Sequence, residues 1–148
     1  MFAKKAGANF EDRFQKYCYH AQNVSAIRIE DGCKRIGANR FIAQRQPFDW
    51  IVFYEDKAIF CDTKTTLEGS YSLNMEKIDF QMRNFKIVVS HNHVAGYLVE
   101  FREAGEFRWY SYERLIEILK ERKSLKKEDG LLLGHTFPMK IDFGLIFV

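Results

Sequence analysis

The chain has 148 residues, 47% of them hydrophobic and 16% aromatic, so it can bury a real core and is not a disordered or low-complexity chain. Its formal charge of +3 is too small to identify a partner by itself, and its three cysteines are odd in number and form no CxxC pair. That count argues against a disulfide framework or a zinc knuckle, and no apolar run is long enough to span a bilayer.

In chain order, residues 8–22 read as a first helix, with Phe10, Phe14, Tyr17 and Cys18 at i, i+4, i+7 and i+8. The stretch before it has no signal-type apolar core, and an intracellular, cytoplasmic protein is expected. "VSAIRI" reads as a strand, and "EDGCKRIGANR" as a turn-rich basic connection. Arg28, Lys34, Arg35, Arg40 and Arg45 crowd this region against Glu30 and Asp31 alone. Phosphate contacts by such residues supply most non-specific DNA affinity, which makes these five the candidates for binding DNA.

"DWIVFYEDKAIFCDTK" follows, two apolar strands around a polar turn. "LEGSYSLN" reads as a loop. A second helix is expected over 75–89, with Ile78, Met82 and Phe85 on one face. "VAGYLVEF" and "EFRWYSY" form a hairpin around Glu103–Gly105. "SYERLIEILKERKSLKK" predicts an amphipathic helix with Leu115, Ile118 and Leu119 inward. The tail "HTFPMKIDFGLIFV" is apolar enough to dock as a strand. The order α-β-β-β-α-β-β-α predicts an α/β fold, a central mixed sheet flanked by helices, with residues 1–148 forming one domain.

The hairpin at 49–64 carries the chemistry. With its turn centred between Glu55 and Asp56, Phe53 faces Ala58, Ile51 faces Phe60 and Asp49 faces Asp62. Side chains alternate in face along a strand, so Lys64 joins the two aspartates on one side. Like charges directly opposed destabilise a sheet. A hard divalent cation removes that repulsion, because Mg²⁺ prefers carboxylate oxygens. Solvated aspartates capping the strand ends are the plain alternative.

"PFD" followed by "CDTK" resembles the PD-(D/E)xK nuclease motif, with Phe48 intervening between Pro47 and Asp49, and Asp in place of the more frequent Glu. "GANFE" is similar to the Gly-x-x-Phe-Glu opening of RecU-type Holliday junction resolvases and of the archaeal Hjc group, where a first-helix glutamate completes the metal site. "YSLNMEKIDFQMRNF" resembles the RecU segment in which a Leu-x-Asn turn enters a helix bearing a glutamine. The resemblance covers roughly residues 7–101 and implies a restriction-endonuclease-like core. It implies Mg²⁺, with Mn²⁺ as a substitute, held by Glu11, Asp49, Asp62 and Thr63. Lys64 would act on the attacking water or the phosphate, and Gln81 would support the site. It further implies a homodimer acting on branched DNA, the four-way junction. Residues 30–46 are short for the projecting stalk of RecU proteins. A less selective restriction- or repair-type nuclease, or an inactive DNA-binding module, is the alternative.

The tripeptide HNH at 91–93 is not the nuclease class of that name, whose residues are scattered over a ββα fold. His91 and His93 are expected to cap a helix or face solvent. Trp50 and Trp109 are expected in the core. The run Lys120, Arg122, Lys123, Lys126 and Lys127 reads as a solvated helix face.

Overall fold

The computed structural model describes the backbone of residues 2–30, 32–44 and 46–148, and the side chains of residues 9–30, 35–40 and 46–148. Helix α1 (Phe2–His20) leads into β1 (Val24–Arg28), then β2 (Gly32–Gly37), β3 (Arg40–Gln44), β4 (Trp50–Tyr54), β5 (Lys57–Thr66) and β6 (Ser70–Ser72). Helix α2 (Met75–Ser90) precedes β7 (Val94–Phe101) and β8 (Glu106–Ser111). Helix α3 (Tyr112–Leu119), β9 (Ser124–Lys126), β10 (Leu131–Thr136) and β11 (Met139–Ile141) complete the order, with short 3₁₀ turns at Lys127–Asp129 and Phe143–Phe147.

The main sheet has seven strands in the order β1-β4-β5-β7-β8-β10-β11. Neighbours run antiparallel except β5 and β7, whose parallel pairing is bridged by α2 as a crossover. Helix α1 covers one face, where Phe10, Phe14 and Cys18 meet Trp50, Val52, Ile59, Cys61 and Leu98. Helices α2 and α3 cover the other, where Ile78, Phe85, Leu115 and Ile118 meet Phe48, Tyr97, Val99 and Phe101. The helical spacing read at Phe10, Phe14 and Cys18 is thus the buried stripe of α1. The α/β architecture with a mixed sheet between helices is the one expected.

Four local expectations change. The basic connection after β1 is itself a hairpin, β2 paired with β3 in a separate two-stranded sheet. The segment expected as a loop contains β6, which pairs with β9. The third helix stops at Leu119 instead of running on to Lys127. Leu125 explains both of these last differences: it is fully buried against the α2–α3 cluster, and in the β6–β9 pair it stands opposite Tyr71. A helix continuing through 120–127 would carry basic residues on most sides and leave that leucine no core to enter. The tail forms β10 and β11 as a hairpin rather than one strand, and β10 begins upstream of it.

Both caps follow from short polar side chains. Asn74 Oδ1 accepts from the Glu76 N–H at 3.0 Å to start α2, and Ser111 Oγ accepts from the Arg114 N–H at 3.2 Å to start α3. His91 is the C-terminal cap of α2, and Trp50 and Trp109 lie in the core, as expected. No helix among the described residues is long and apolar enough to cross a membrane.

Candidate active site

The β4–β5 hairpin has the register that a turn at Glu55–Asp56 requires. Tyr54 pairs with Lys57, Phe53 with Ala58, Ile51 with Phe60 and Trp50 with Cys61. Glu55 takes φ 54°, the left-handed conformation that primed hairpin turns need at their first central residue. Asp49 stands one residue before β4 and still donates its N–H to the Cys61 carbonyl at 3.2 Å, while its own carbonyl accepts from Ile29 N–H at 2.8 Å. The aspartate is thereby held between β1 and β5 at the open end of the hairpin.

Asp62 and Lys64 point to the α2 face, because their β7 partners Tyr97 and Val99 belong to that core. Asp62 is 3% exposed. One of its oxygens accepts from Lys64 Nζ at 2.6 Å and from Gln81 Nε2 at 2.8 Å. Gln81 Oε1 in turn accepts from the Tyr97 hydroxyl. The buried glutamine of α2 therefore uses both ends of its amide, one on the carboxylate and one on a tyrosine next to it in the sheet.

Asp49 Oδ2 accepts from the Thr63 N–H at 3.0 Å and the Thr63 hydroxyl at 3.3 Å. Glu11 reaches the same end of the sheet from α1, where Arg28 of β1 donates to it at 2.5 Å. Arg28 thus lies in an ion pair rather than on open surface. Thr65 and Arg13 converge on a further carboxylate, Glu100. Arg13 donates to both Glu100 oxygens at 2.9 Å, and the Thr65 hydroxyl donates at 3.0 Å. Glu100 is 1% exposed, so this pair pins α1 to β5 and β7 two residues past Glu11.

The electrostatics follow from this crowding. Burial, together with the Asp49 charge, pushes the Asp62 carboxyl up to about 7 against the pull of Lys64. Burial pulls the Lys64 ammonium down, but the Asp62 carboxylate, Tyr71 and Asp49 outweigh it and leave it raised. Burial and the Asp49 charge raise Glu11, with Arg28 and Lys64 opposing. The thiols of Cys18 and Cys61 are buried, and burial pushes Cys18 up to about 12, so neither is a nucleophile.

Among the described residues no three His, Cys, Asp or Glu side chains gather closely enough to hold a metal ion between them. Each carboxylate is instead tied to a donor of the chain: Asp49 to Thr63, Asp62 to Lys64 and Gln81, Glu11 to Arg28. The donors nevertheless suit a hard cation. Mg²⁺ binds through one or two carboxylates, keeps several waters and does not need an all-protein cage. Asp49, whose charge adds to the rise of the Asp62 carboxyl, forms with it the pair such a cation would relieve.

Of the DNA candidates, Arg35 and Arg40 are exposed on the β2–β3 hairpin, and Arg35 also donates to the Gly37 and Ala38 carbonyls of its own turn. Arg45 and the side chain of Lys34 lie outside the described residues. Tyr97 and the Arg13–Glu100–Thr65 cluster have no counterpart in the sequence reading. Tyr97 is an ordinary strand aromatic there, and only the parallel pairing sets it opposite Asp62. A roomier apolar hollow of about 470 Å³ between α1 and the Phe137–Pro138 turn is lined by none of the site carboxylates.

No family model matches the sequence, and no curated protein matches it. Among solved structures, the fold is similar to that of Archaeoglobus fulgidus Hjc, a Holliday junction resolvase from an archaeal hyperthermophile, solved at 1.6 Å. The TM-score is 0.57 at 18% identity, over 85% of this chain and 95% of that one. The seven-stranded mixed sheet and its flanking helices are thus a resolvase-like α/β fold.

Proposed function

We propose that this protein is a Mg²⁺-dependent DNA endonuclease that resolves four-way junctions. The observation that supports it best is the meeting of Asp49, Asp62 and Lys64 at the open end of one hairpin, with Glu11 approaching from α1, on a resolvase-like fold. Asp49 and Asp62 would hold the cation, joined by Glu11 and Thr63. Bound there, Mg²⁺ or Mn²⁺ would supply Lewis-acid stabilisation of the phosphate and a water of lowered pKa.

The chain's own residues divide the remaining work. Gln81, fixed by Tyr97, orients the Asp62 carboxylate by a hydrogen bond that favours its ionised form. Lys64 keeps its proton, so it meets the non-bridging phosphate oxygens as a full positive charge. The Arg13–Glu100 pair fixes the helix that delivers Glu11. Arg35 and Arg40, with Lys34 and Arg45, would bind the backbone of the junction arms. Two symmetric nicks need two such centres, which a C2 homodimer provides.

Cleavage of a labelled four-way junction, a nicked duplex and a linear duplex, each in Mg²⁺ and in EDTA, tests this reading. Paired nicks in the junction alone, abolished by EDTA and by Asp62→Ala, are expected. Equal cutting of all three substrates would make it a less selective nuclease. No cutting of any substrate would overturn the nuclease reading.

A further inference from the structure

A small cleft of about 140 Å³ opens beside Lys64, lined by Lys64, Tyr71, Leu73, Asn74, Lys77, Gln81 and Tyr97. Its lining holds two lysines and no carboxylate. Lys77 and Gln81 lie four apart on one face of α2, and its N-cap Asn74 stands three residues before Lys77, so the three form one stripe. At its inner end that stripe touches Asp62 through Gln81. At its outer end Lys77 is exposed, and among the described residues it has no ion-pair partner. Opposite stands Tyr71 of β6, half-buried and close enough to feel the Lys64 and Asp62 charges. Tyr71 is held there by the β6–β9 pairing, so the cleft wall is part of the folded frame.

We propose that this cleft is a subsite for the phosphate adjacent to the one that is cut, with Lys77 as its cation and the Tyr71 hydroxyl and Asn74 amide as further hydrogen-bonding groups. The proposal rests on the nuclease reading above and names where the cleaved strand continues. A phosphodiester backbone carries a charge at every nucleotide, so a strand with one phosphate at Lys64 must place the next one nearby. The α2 stripe offers a positive path from Lys64 outwards, with the aspartates behind it rather than along it. Lys77 here is a positioning residue: it fixes the register of the strand and takes no part in bond breaking.

The test is binding of a four-way junction and of a linear duplex in Ca²⁺ over a salt series, with wild type, Lys77→Ala, Lys77→Arg and Tyr71→Phe. Lys77→Ala is expected to weaken binding of both DNAs about tenfold near 0.1 M salt and to flatten the salt slope by about one unit. Lys77→Arg should restore both, and thermal stability should be unchanged because Lys77 is exposed. A neutral methylphosphonate placed next to the scissile position should weaken wild type and leave Lys77→Ala almost unaffected. Wild type that binds and cuts DNA while Lys77→Ala keeps the same affinity and slope would overturn the subsite and leave the nuclease reading standing. Wild type that neither binds nor cuts DNA would remove both.

Discussion

Gln81 donates to Asp62 at 2.8 Å and accepts from Tyr97, so a helix residue locks a strand carboxylate to a neighbouring strand. Gln81 is 9% exposed, and its removal leaves the buried Tyr97 hydroxyl without its acceptor and takes one of two donors from the buried Asp62 oxygen. Gln81→Ala is expected to cost about 1–3 kcal/mol of stability, the penalty for unsatisfied buried partners. It should also lower the cleavage rate more than DNA affinity, because the lost contact favours the ionised Asp62. Tyr97→Phe should lose less in both, since the amide keeps its bond to the carboxylate. Denaturant melts beside single-turnover rates check this. Unchanged turnover in Gln81→Ala would make the glutamine purely structural.

The second expectation concerns Lys64 and Asp62. Their ion pair is 2.6 Å long, with the lysine side chain 24% and the aspartate side chain 4% exposed. Removing the lysine leaves a buried carboxylate without its cation, a loss of about 3 kcal/mol at pH 8. Lys64→Ala should therefore be much less stable than Lys64→Ala combined with Asp62→Asn. At pH 5 the single variant should recover part of the difference, because Asp62 then carries a proton. On DNA, Lys64→Ala is expected to keep most of its affinity and lose most of its turnover, since many phosphate contacts share the binding. Binding that falls in proportion to rate would make Lys64 an ordinary phosphate clamp.

The pH dependence has a definite sign. Burial holds Asp62 near 7 against an ordinary 3.8, so between those values the folded protein binds more protons than the unfolded chain. The stability contributed by the protonated carboxyl is fully present below the unfolded value and is lost as pH rises through the folded one. The metal-free melting temperature should fall between about pH 4 and pH 7. Asp62→Asn should remove most of that slope, and Glu11, shifted in the same direction, should leave a residue of it. Added Mg²⁺ at pH 8 should raise the wild-type melting temperature and not that of Asp62→Asn. A flat wild-type profile in EDTA would contradict this.

How far the site could be read from the sequence depends on what each contact needs. The β4–β5 register from Tyr54–Lys57 to Trp50–Cys61 needs only strand alternation and a turn position, both local, whereas Asp49 lies one residue beyond it with its N–H on the Cys61 carbonyl. The stripe Phe10, Phe14 and Cys18 needs only helical spacing. Tyr97 beside Asp62 is different, because it comes from parallel pairing across a crossover helix, and no local pattern sets that register. The end of α3 at Leu119 is also non-local. The helical pattern of 112–119 runs on into a charged segment, and only the burial of Leu125 against α2 and α3, with β6 pairing alongside, draws 124–126 into a strand. Arg28 reads as one member of a basic cluster until β1 pairs with β4 and brings it to Glu11.

That last contact separates the arginines into two kinds. Arg35 and Arg40 are exposed on a hairpin outside the main sheet, whereas Arg28 is spent on Glu11 at 2.5 Å. Neutralising Arg35 and Arg40 together is expected to weaken junction binding and flatten its salt slope by up to about two units, one per lost phosphate contact. Global stability should barely move, because exposed charges contribute little to folding. Arg28→Ala should do the reverse. Its charge and hydrogen bond lower the Glu11 pKa, so its loss raises that pKa further and leaves the carboxylate protonated to higher pH. The acid limb of the pH–rate profile should move upward while affinity at pH 8 changes little. Gel shifts over a salt series and cleavage rates from pH 6 to pH 9 read the two effects separately. An Arg28→Ala variant that loses affinity and salt slope as Arg35 and Arg40 do, with an unmoved acid limb, would place Arg28 on the DNA instead of on Glu11.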